Sequence, residues 1–165
     1  MLLFGVRSPL VVDVEETLHR LKKPVTLAVS VSGIPRLITI ENIVDVSDFK
    51  PEAGEQFLAV AFAPLRREEL VQMATGLGLC LSNPLIDPTA VLASSVRVGQ
   101  GTYINASVTV GGVSRIGESV FINRSASLGH HCMLGDFVSI GPGAVLAGNI
   151  AVGKGSLIGA GAVVL

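Results

Sequence analysis

A six-residue period runs through the second half of the chain and limits the folds that this half can adopt. From Ile86 to Val164, every sixth residue is isoleucine, leucine or valine, and no insertion interrupts the series. From Ile86 to Ile158, the residue after each aliphatic position is glycine, alanine, asparagine or aspartate. From Leu92 onward, the residue two positions before the aliphatic one is small or β-branched. The aliphatic positions are Ile86, Leu92, Val98, Ile104, Val110, Ile116, Ile122, Leu128, Leu134, Ile140, Leu146, Val152, Ile158 and Val164.

A period of six fits short strands that are separated by corners. In a helix, residues six apart are about 120° out of step, so they form no single stripe. Strand side chains alternate with a period of two, which divides six. Three six-residue edges make a triangular coil, and stacked coils point the aliphatic and small positions into a narrow prism. The glycine, asparagine or aspartate after each aliphatic residue is expected to supply the backbone freedom of the corner. An ordinary β-sandwich has irregular strand spacing of about 8–12 residues instead.

Residues 1–83 follow a different pattern, in which apolar strand segments alternate with helical segments. The predicted strands are Met1–Val6, Val25–Val31, Phe57–Ala63 and Leu79–Leu81, with a further candidate at Leu37–Ile40. One predicted helix ends before Pro24 and has Leu10, Val11, Val14, Leu18 and Leu21 on one face. The other begins at Pro64, with Leu65, Leu70, Val71 and Ala74 on one face. This alternation predicts a small parallel α/β domain. Asn83-Pro84 marks its boundary, so the predicted domains are 1–83 and 84–165.

Charge and composition exclude several classes of protein. The 12 basic and 13 acidic side chains leave a net charge of -1, which excludes the broad basic surface of a nucleic-acid-binding protein. No apolar run reaches the length of about 18–20 residues that a membrane helix needs, and the first residues make a poor signal peptide. The sequence therefore predicts a cytoplasmic protein with no membrane contact. No metal is expected, because adjacent His130 and His131 cannot easily bind one zinc ion from the same face.

Three segments carry a resemblance to a known family: the strand-to-helix step at Phe57–Arg66, the stretch Asn123–Cys132, and Ala147–Asn149. With them, the chain resembles the sialic acid O-acetyltransferase and nucleotide-aminosugar N-acetyltransferase family of hexapeptide acyltransferases. The resemblance implies a Rossmann-like parallel-sheet domain followed by a left-handed parallel β-helix of hexapeptide repeats. It also implies a homotrimer with active sites between adjacent prisms. In such enzymes acetyl-CoA is the co-substrate, and the acceptor is an amine or hydroxyl of a sugar or nucleotide-linked sugar.

The resemblance also implies roles for individual residues. His130 occupies the place of the general base, a role that suits a neutral imidazole near pH 7, and His131 follows it in the catalytic pair. The residues expected to contact the cofactor are Gly141, Gly148, Ser139 and Lys154. Those expected to contact the substrate are Asn123, Gly5, Arg7 and Ser8. Backbone N–H groups at Gly141 and Gly148 would bind the thioester carbonyl or pantetheine amides, and Arg7 would bind phosphate.

Four departures from the family pattern keep an alternative function open. His131 stands where the family usually has an acidic residue, and Ser139 where a second histidine is common. The first turn, Gly5 to Pro9, has a single glycine. The repeat stops at Leu165 without a polar cap, so the solenoid is apparently cut short. The alternative is a non-catalytic trimeric scaffold or binding protein, in which His130 and His131 are exposed corner residues without a chemical role.

Overall fold

The computed structural model describes residues 1–36 and 41–165, and its first part is a parallel sheet with helices. Five strands pair in the order β3-β2-β1-β4-β5, all parallel. Helix α1 connects β1 to β2, and helix α2 connects β4 to β5. The elements are β1 (Leu2–Phe4), α1 (Val11–Arg20), β2 (Leu27–Ser30), β3 (Ile43–Asp45), β4 (Gln56–Ala59), α2 (Pro64–Gly76) and β5 (Cys80–Leu81). The sequence did not predict β3, and the strand candidate Leu37–Ile40 lies outside the described residues.

Helix α2 buries a different face from the one that the apolar residues predict. Leu70, Val71 and Ala74 are buried as expected, but Leu65 is 71% exposed. The fourth buried position is Arg67, which is 1% exposed and lies three and seven residues before Leu70 and Ala74. Helical spacing places Arg67 on the same stripe as these residues. The prediction for Leu65 was therefore wrong, because an arginine occupies the position that continues the stripe.

Residues 85–164 form a parallel β-solenoid with triangular coils of eighteen residues. Each two-residue strand pairs with the strand eighteen residues further on, as Phe121 does with Ser139 and Ser127 with Val145. We call the three stacks sheet 1 (β7, β10, β13, β16, β19), sheet 2 (β8, β11, β14, β17) and sheet 3 (β6, β9, β12, β15, β18). The strands of this region are β6 (Leu85–Ile86), β7 (Val91–Leu92), β8 (Arg97–Val98), β9 (Tyr103–Ile104), β10 (Thr109–Val110), β11 (Arg115–Ile116), β12 (Phe121–Ile122), β13 (Ser127–Leu128), β14 (Met133–Leu134), β15 (Ser139–Ile140), β16 (Val145–Leu146), β17 (Ala151–Val152), β18 (Leu157–Ile158) and β19 (Val163–Val164).

The aliphatic and small positions of the repeat line the solenoid interior, as predicted. Leu128 is 2% exposed and Ile140 is fully buried, and the small residues Ala126 and Ala144 pack beside them. Burial of each aliphatic side chain contributes roughly 1.5–3 kcal/mol, shared between neighbouring coils. Because every inward residue is fixed by the period, the outward residues of each edge and corner are fixed too.

The left-handed backbone conformation that turns each corner lies at a different repeat position from the one that the sequence suggested. The residues with positive φ recur every six positions, but they lie three residues before the aliphatic position; Val113, His131 and Phe137 are examples, with φ of 64°, 59° and 60°. The glycines after the aliphatic residue serve close stacking of coils instead. A Cβ added at Gly129 would lie 2.6 Å from the amide nitrogen of Gly148 in the next coil.

Helix α1 is joined to the first coils by a buried polar cluster. Thr17 donates a hydrogen bond of 2.6 Å to Asp87, and Arg20 donates two to the same carboxylate oxygen. The hydroxyl of Tyr103 lies 3.0 Å from that of Thr17. Burial raises the pKa of Asp87, but the hydrogen bonds from Arg20, Thr17 and Thr89 outweigh it and lower the pKa to about 2. The carboxylate is therefore charged at neutral pH and stabilises the junction.

We expect the Asp87 cluster to make stability depend on pH in the acid range. The pKa of Asp87 is lower in the folded than in the unfolded chain, so its stabilisation is complete above about pH 4 and is lost as pH falls towards 2. Urea unfolding should show that the wild type has a higher unfolding free energy than Asp87→Asn at neutral pH. This difference should shrink by on the order of 2 kcal/mol as the pH falls from 4 towards 2. The exposed Asp48→Asn is the control. A gap of equal size at pH 7 and pH 2.5 would contradict the assignment.

Helix α2 is joined to the solenoid by the buried guanidinium of Arg67. It donates six hydrogen bonds, to the carbonyl oxygens of Ser119, Ala61, Phe62, Phe137 and Val138 and to the hydroxyl of Ser139. Burial lowers the pKa of Arg67 to about 9, so the group remains protonated at neutral pH. Sheet 3, whose outward residues Tyr103 and Phe121 are buried, is thereby fixed against the N-terminal sheet and helices.

Within the described residues, neither helix is both long and apolar enough to cross a membrane.

Candidate active site

The adjacent histidines lie at a corner of the solenoid, between β13 of sheet 1 and β14 of sheet 2. Both side chains are exposed. Their Nδ1 atoms are 3.0 Å apart, and the rings are nearly perpendicular, with an interplanar angle of 88°. The left-handed backbone of His131 (φ 59°) turns the chain between the two strands and places the rings side by side. Because Nδ1 of His130 is engaged, Nε2 is the ring nitrogen left to exchange a proton with a bound molecule.

Gly148 packs directly against the His130 ring. It lies one coil further along the solenoid, and a Cβ added there would be 2.6 Å from Cε1 and 2.8 Å from Nε2 of His130. Any larger residue would therefore displace the imidazole. The structure thus brings together three residues that the sequence predicted for the site: His130, His131 and Gly148.

We expect Gly148→Ala to move the His130 ring without unfolding the protein. The added methyl meets an exposed side chain that is free to rotate, so the unfolding free energy should change by less than about 1 kcal/mol. Histidine NMR spectra should show that the contact between His130 Nδ1 and His131 Nδ1 is lost. Gly153→Ala is the matched control, since the nearest atom there is Ser156 Oγ at 3.9 Å. Unchanged histidine signals in Gly148→Ala would contradict the packing.

The surface on either side of the histidine corner is partly apolar. Met133 on sheet 2 is 48% exposed, and Val145 on sheet 1 is 42% exposed. Arg97 and Arg115 are the charged residues on the outward face of sheet 2. An elongated molecule with an apolar chain would find contact area here.

A second candidate site is a cleft at the carboxyl ends of β1, β2 and β4. Its volume is about 550 Å³. The lining residues are Gly5, Arg7, Ser8, Val31, Ser32, Val60, Ala61, Phe62, Ala63, Arg66 and Leu70. Gly5 is required at its position, because φ is +84° and an added Cβ would lie 2.4 Å from the Leu70 side chain. In open parallel sheets the carboxyl ends of the strands are where ligands bind.

The charge of the cleft favours an anion. Arg7 lies over Gly33, where an added Cβ would be 2.8 Å from its Nε. Arg66 stands near the N-terminus of α2 and pairs with Glu69 at 2.8 Å. No carboxylate is among the lining residues within 1–36 and 41–165. Sequence reasoning found Gly5, Arg7 and Ser8 but missed Arg66, whose signal was its place in the first turn of a helix that follows a strand.

The other predicted site residues lie away from the histidine corner. Asn123 is 4% exposed, and its amide oxygen accepts a hydrogen bond from Asn105 in the preceding coil. Ser139 is fully buried between Arg67 and the carbonyl oxygen of Phe62. Both side chains are engaged by hydrogen bonds within the chain, and neither lies at the histidine corner.

Gly141 and Lys154 lie at the other two corners of the prism. Gly141 follows sheet 3, and a Cβ there would meet the amide nitrogen of Ala160 at 2.5 Å, so it serves coil stacking. Lys154 follows sheet 2 and forms an ion pair of 2.7 Å with Glu68 of α2. This pair raises the pKa of Lys154. Neither residue shares the corner that holds His130.

The cleft and the histidine corner lie on different sides of one chain. The N-terminal sheet and helices cover sheet 3 and the corner through which Arg67 reaches Ser119 and Phe137. His130 lies at the corner between sheets 1 and 2, the two faces that these elements leave uncovered. A single chain therefore does not bring its cleft and its histidine pair together.

The repeat matches a known protein family. Residues 114–148 and 131–165 each match the family described as bacterial transferase hexapeptide (six repeats). The hexapeptide resemblance predicted from the sequence is thus confirmed. No protein with a curated description matches the chain significantly in sequence.

Solved structures share the fold of the whole chain, the hexapeptide region included. One is a histidine-to-asparagine variant of perosamine N-acetyltransferase from Caulobacter crescentus in complex with CoA and GDP-perosamine (TM-score 0.84, 22% identity, 99% of this chain and 88% of that chain). Another is the acetyltransferase domain of PglB from Neisseria gonorrhoeae (TM-score 0.80, 22% identity, 99% and 90%). A third is WeeI from Acinetobacter baumannii (TM-score 0.61, 17% identity, 98% and 94%). At these identities the likeness establishes the fold.

Within the described ranges, no three His, Cys, Asp or Glu side chains are grouped so that they could hold a metal ion.

Proposed function

We propose that the protein is an acetyltransferase that moves the acetyl group of acetyl-CoA to an amine or hydroxyl of a sugar or nucleotide-linked sugar. One observation carries the proposal: the exposed imidazole of His130 has its Nδ1 within hydrogen-bond distance of His131 and its ring packed against Gly148 of the next coil. Two proteins with the same fold support it. One is an N-acetyltransferase crystallised with CoA and GDP-perosamine, and the other is an acetyltransferase domain crystallised with acetyl coenzyme A.

His130 is the general base of the proposed reaction. Bound acetyl-CoA supplies an activated thioester carbonyl. Nε2 of His130 takes the proton of the acceptor nitrogen or oxygen while that atom bonds to the carbonyl carbon. When the carbon–sulfur bond breaks, the same proton passes to the departing CoA sulfur, and the imidazole is neutral again. The neutral imidazole is the base of the first step, and the imidazolium that it becomes is the acid of the second.

The partly apolar corner suits the pantetheine arm of CoA. We propose that the arm lies along the surface that Met133 and Val145 flank, beside Gly148 and the His130 ring packed on it. Gly141, Ser139 and Lys154 stay outside this proposed site, because they lie at other corners or are buried.

The cleft of the N-terminal sheet is the proposed acceptor site. The strand order β3-β2-β1-β4-β5 is that of a Rossmann-like sheet, which supports residues 1–83 as a substrate-binding domain. Residues 84–165 are the proposed left-handed hexapeptide domain. Arg7 and Arg66 are placed to bind phosphate oxygens, and Gly5 and Ser8 lie beside them. Val31 and Ser32 follow β2 and line the cleft, and neither is an acidic residue that could bind a ribose.

Because one chain keeps its cleft and its histidines apart, we propose that the complete site forms between two chains of a homotrimer. The uncovered faces of sheets 1 and 2 carry exposed Val91, Met133, Val145 and Val163, and a partner chain would cover them. His130 of one chain would then face the cleft of its neighbour.

The experiment is an acetylation assay with purified protein, acetyl-CoA and amino-sugar acceptors, free or linked to a nucleotide. His130→Ala and the double variant Arg7→Ala/Arg66→Ala should each be inactive. Co-expressed as mixed oligomers, they should recover about a quarter of the activity, since each site takes one half from each chain. Mixed oligomers that bind CoA but recover nothing would place the site within one chain. Absence of both CoA binding and acetyl transfer would favour a non-catalytic scaffold.

A further inference from the structure

The 3.0 Å separation of the two Nδ1 atoms requires one proton between them. Two lone pairs at this distance would repel each other, and two N–H groups would clash. One ring is therefore the donor and the other the acceptor. No carboxylate of residues 1–36 and 41–165 forms an ion pair or hydrogen bond with either ring, so His131 is the partner that orients His130.

We propose that His131 is a positioning residue that accepts the Nδ1 proton of His130 and thereby fixes the tautomer of the base. This inference rests on the proposed function. His131 then carries its own proton on Nε2, and Nε2 of His130 keeps the lone pair that the reaction needs. The reverse arrangement would put a proton on Nε2 of His130 and leave it unable to act as a base.

No titratable group on the neighbouring corners determines which of the two rings donates the shared proton. The corners stacked before and after it, residues 111–114 and 147–150, contain no titratable side chain. The main chain of these corners bonds to the pair: His131 N–H donates to the carbonyl oxygen of Gly112, and Asn149 N–H donates to that of His130. Arg115 and Arg97, on the outward face of sheet 2, are the charged groups on the neighbouring edge.

Because the acceptor is His131 and not a carboxylate, the hydrogen bond depends on the protonation of the acceptor as well as on that of His130. Protonation of His131 turns its Nδ1 into a donor, reverses the hydrogen bond and removes the base. Protonation of either ring before the acceptor binds therefore removes the base. With a carboxylate partner, which would hold the Nδ1 proton of His130 and stabilise the imidazolium, only protonation of His130 itself would do so.

The test that needs no activity is ¹⁵N NMR of histidine-labelled protein at a pH where both rings are neutral. His130 is expected to have a protonated Nδ1 and an unprotonated Nε2, and His131 the opposite. In His131→Ala the preference of His130 for the Nδ1–H tautomer should be lost. The reverse assignment in the wild type, or an unchanged His130 spectrum in His131→Ala, would overturn the proposal.

The kinetic test uses three variants of His131. Asp and Asn tolerate the left-handed backbone at this position and keep an oxygen acceptor, whereas Ala removes the acceptor. Ala should lower kcat about tenfold with little change in KM, Asn should restore part of it, and Asp should restore most. In Asp the acidic limb of the kcat/KM profile should move to higher pH. Identical kcat and pH profiles in all three would overturn the role. If no form acetylates any acceptor while the NMR tautomers are as expected, the proposed function fails and the hydrogen-bond assignment stands.

Discussion

Replacement of His130 by alanine is expected to lower kcat for acetyl transfer by about 10²–10⁴-fold, the range that a positioned general base contributes. The acceptor amine or hydroxyl would then lose its proton to water alone. His19→Ala is the matched control, because His19 is an exposed histidine on α1 and contacts neither the cleft nor the histidine pair.

The same variant separates chemistry from folding and binding. The His130 side chain is exposed, so the unfolding free energy should stay within about 0.5 kcal/mol of the wild type. CoA affinity, measured by calorimetry, should be similar, because the proposed contacts of CoA lie along Met133, Val145 and Gly148. A His130→Ala protein that keeps full kcat would remove this residue from the mechanism.

Replacement of Arg67 by leucine is expected to have the largest effect on stability. It leaves carbonyl oxygens of Ala61, Ser119 and Phe137 without the donor they face and removes the clamp between α2 and the solenoid. The loss of unfolding free energy should be about 3–5 kcal/mol, as when one partner of a buried charged network is removed. Urea unfolding followed by circular dichroism measures it.

The neighbouring residue provides the control for this prediction. Arg66→Leu changes the same residue type one position earlier on α2, where the side chain is half-buried and pairs with Glu69 at the surface. It should cost less than about 1 kcal/mol. Equal losses in the two variants would mean that the buried hydrogen bonds of Arg67 contribute little.

The solenoid could be predicted because its signal is local and repeated. One aliphatic residue per edge, from Ile86 to Val164, determined which side chains point inward, and the outward place of His130 followed from that register. The strand and helix alternation of the first 83 residues predicted the parallel sheet for the same reason: each segment shows its own period.

Other features depend on contacts between distant segments, which a period does not encode. Arg67 lies on an apolar helical stripe, but only the carbonyl groups that α2 meets on the solenoid make burial of its charge favourable. Ser139 belongs to the repeat, yet its burial follows from the helix packed on it. The corner residues were misassigned because glycine suits both a left-handed turn and close stacking of coils, and the sequence does not distinguish the two uses.

The eighteen-residue coil sets the increments in which this molecule can change length. Adding or removing one complete coil would leave every later side chain on its former edge and shift it along the axis by about 4.8 Å. Adding six residues would instead rotate everything downstream by one third of a turn and bring the imidazoles onto another edge. The height of His130 above the N-terminal sheet is therefore adjustable only in whole steps, which is how such a scaffold could be matched to acceptors of different length.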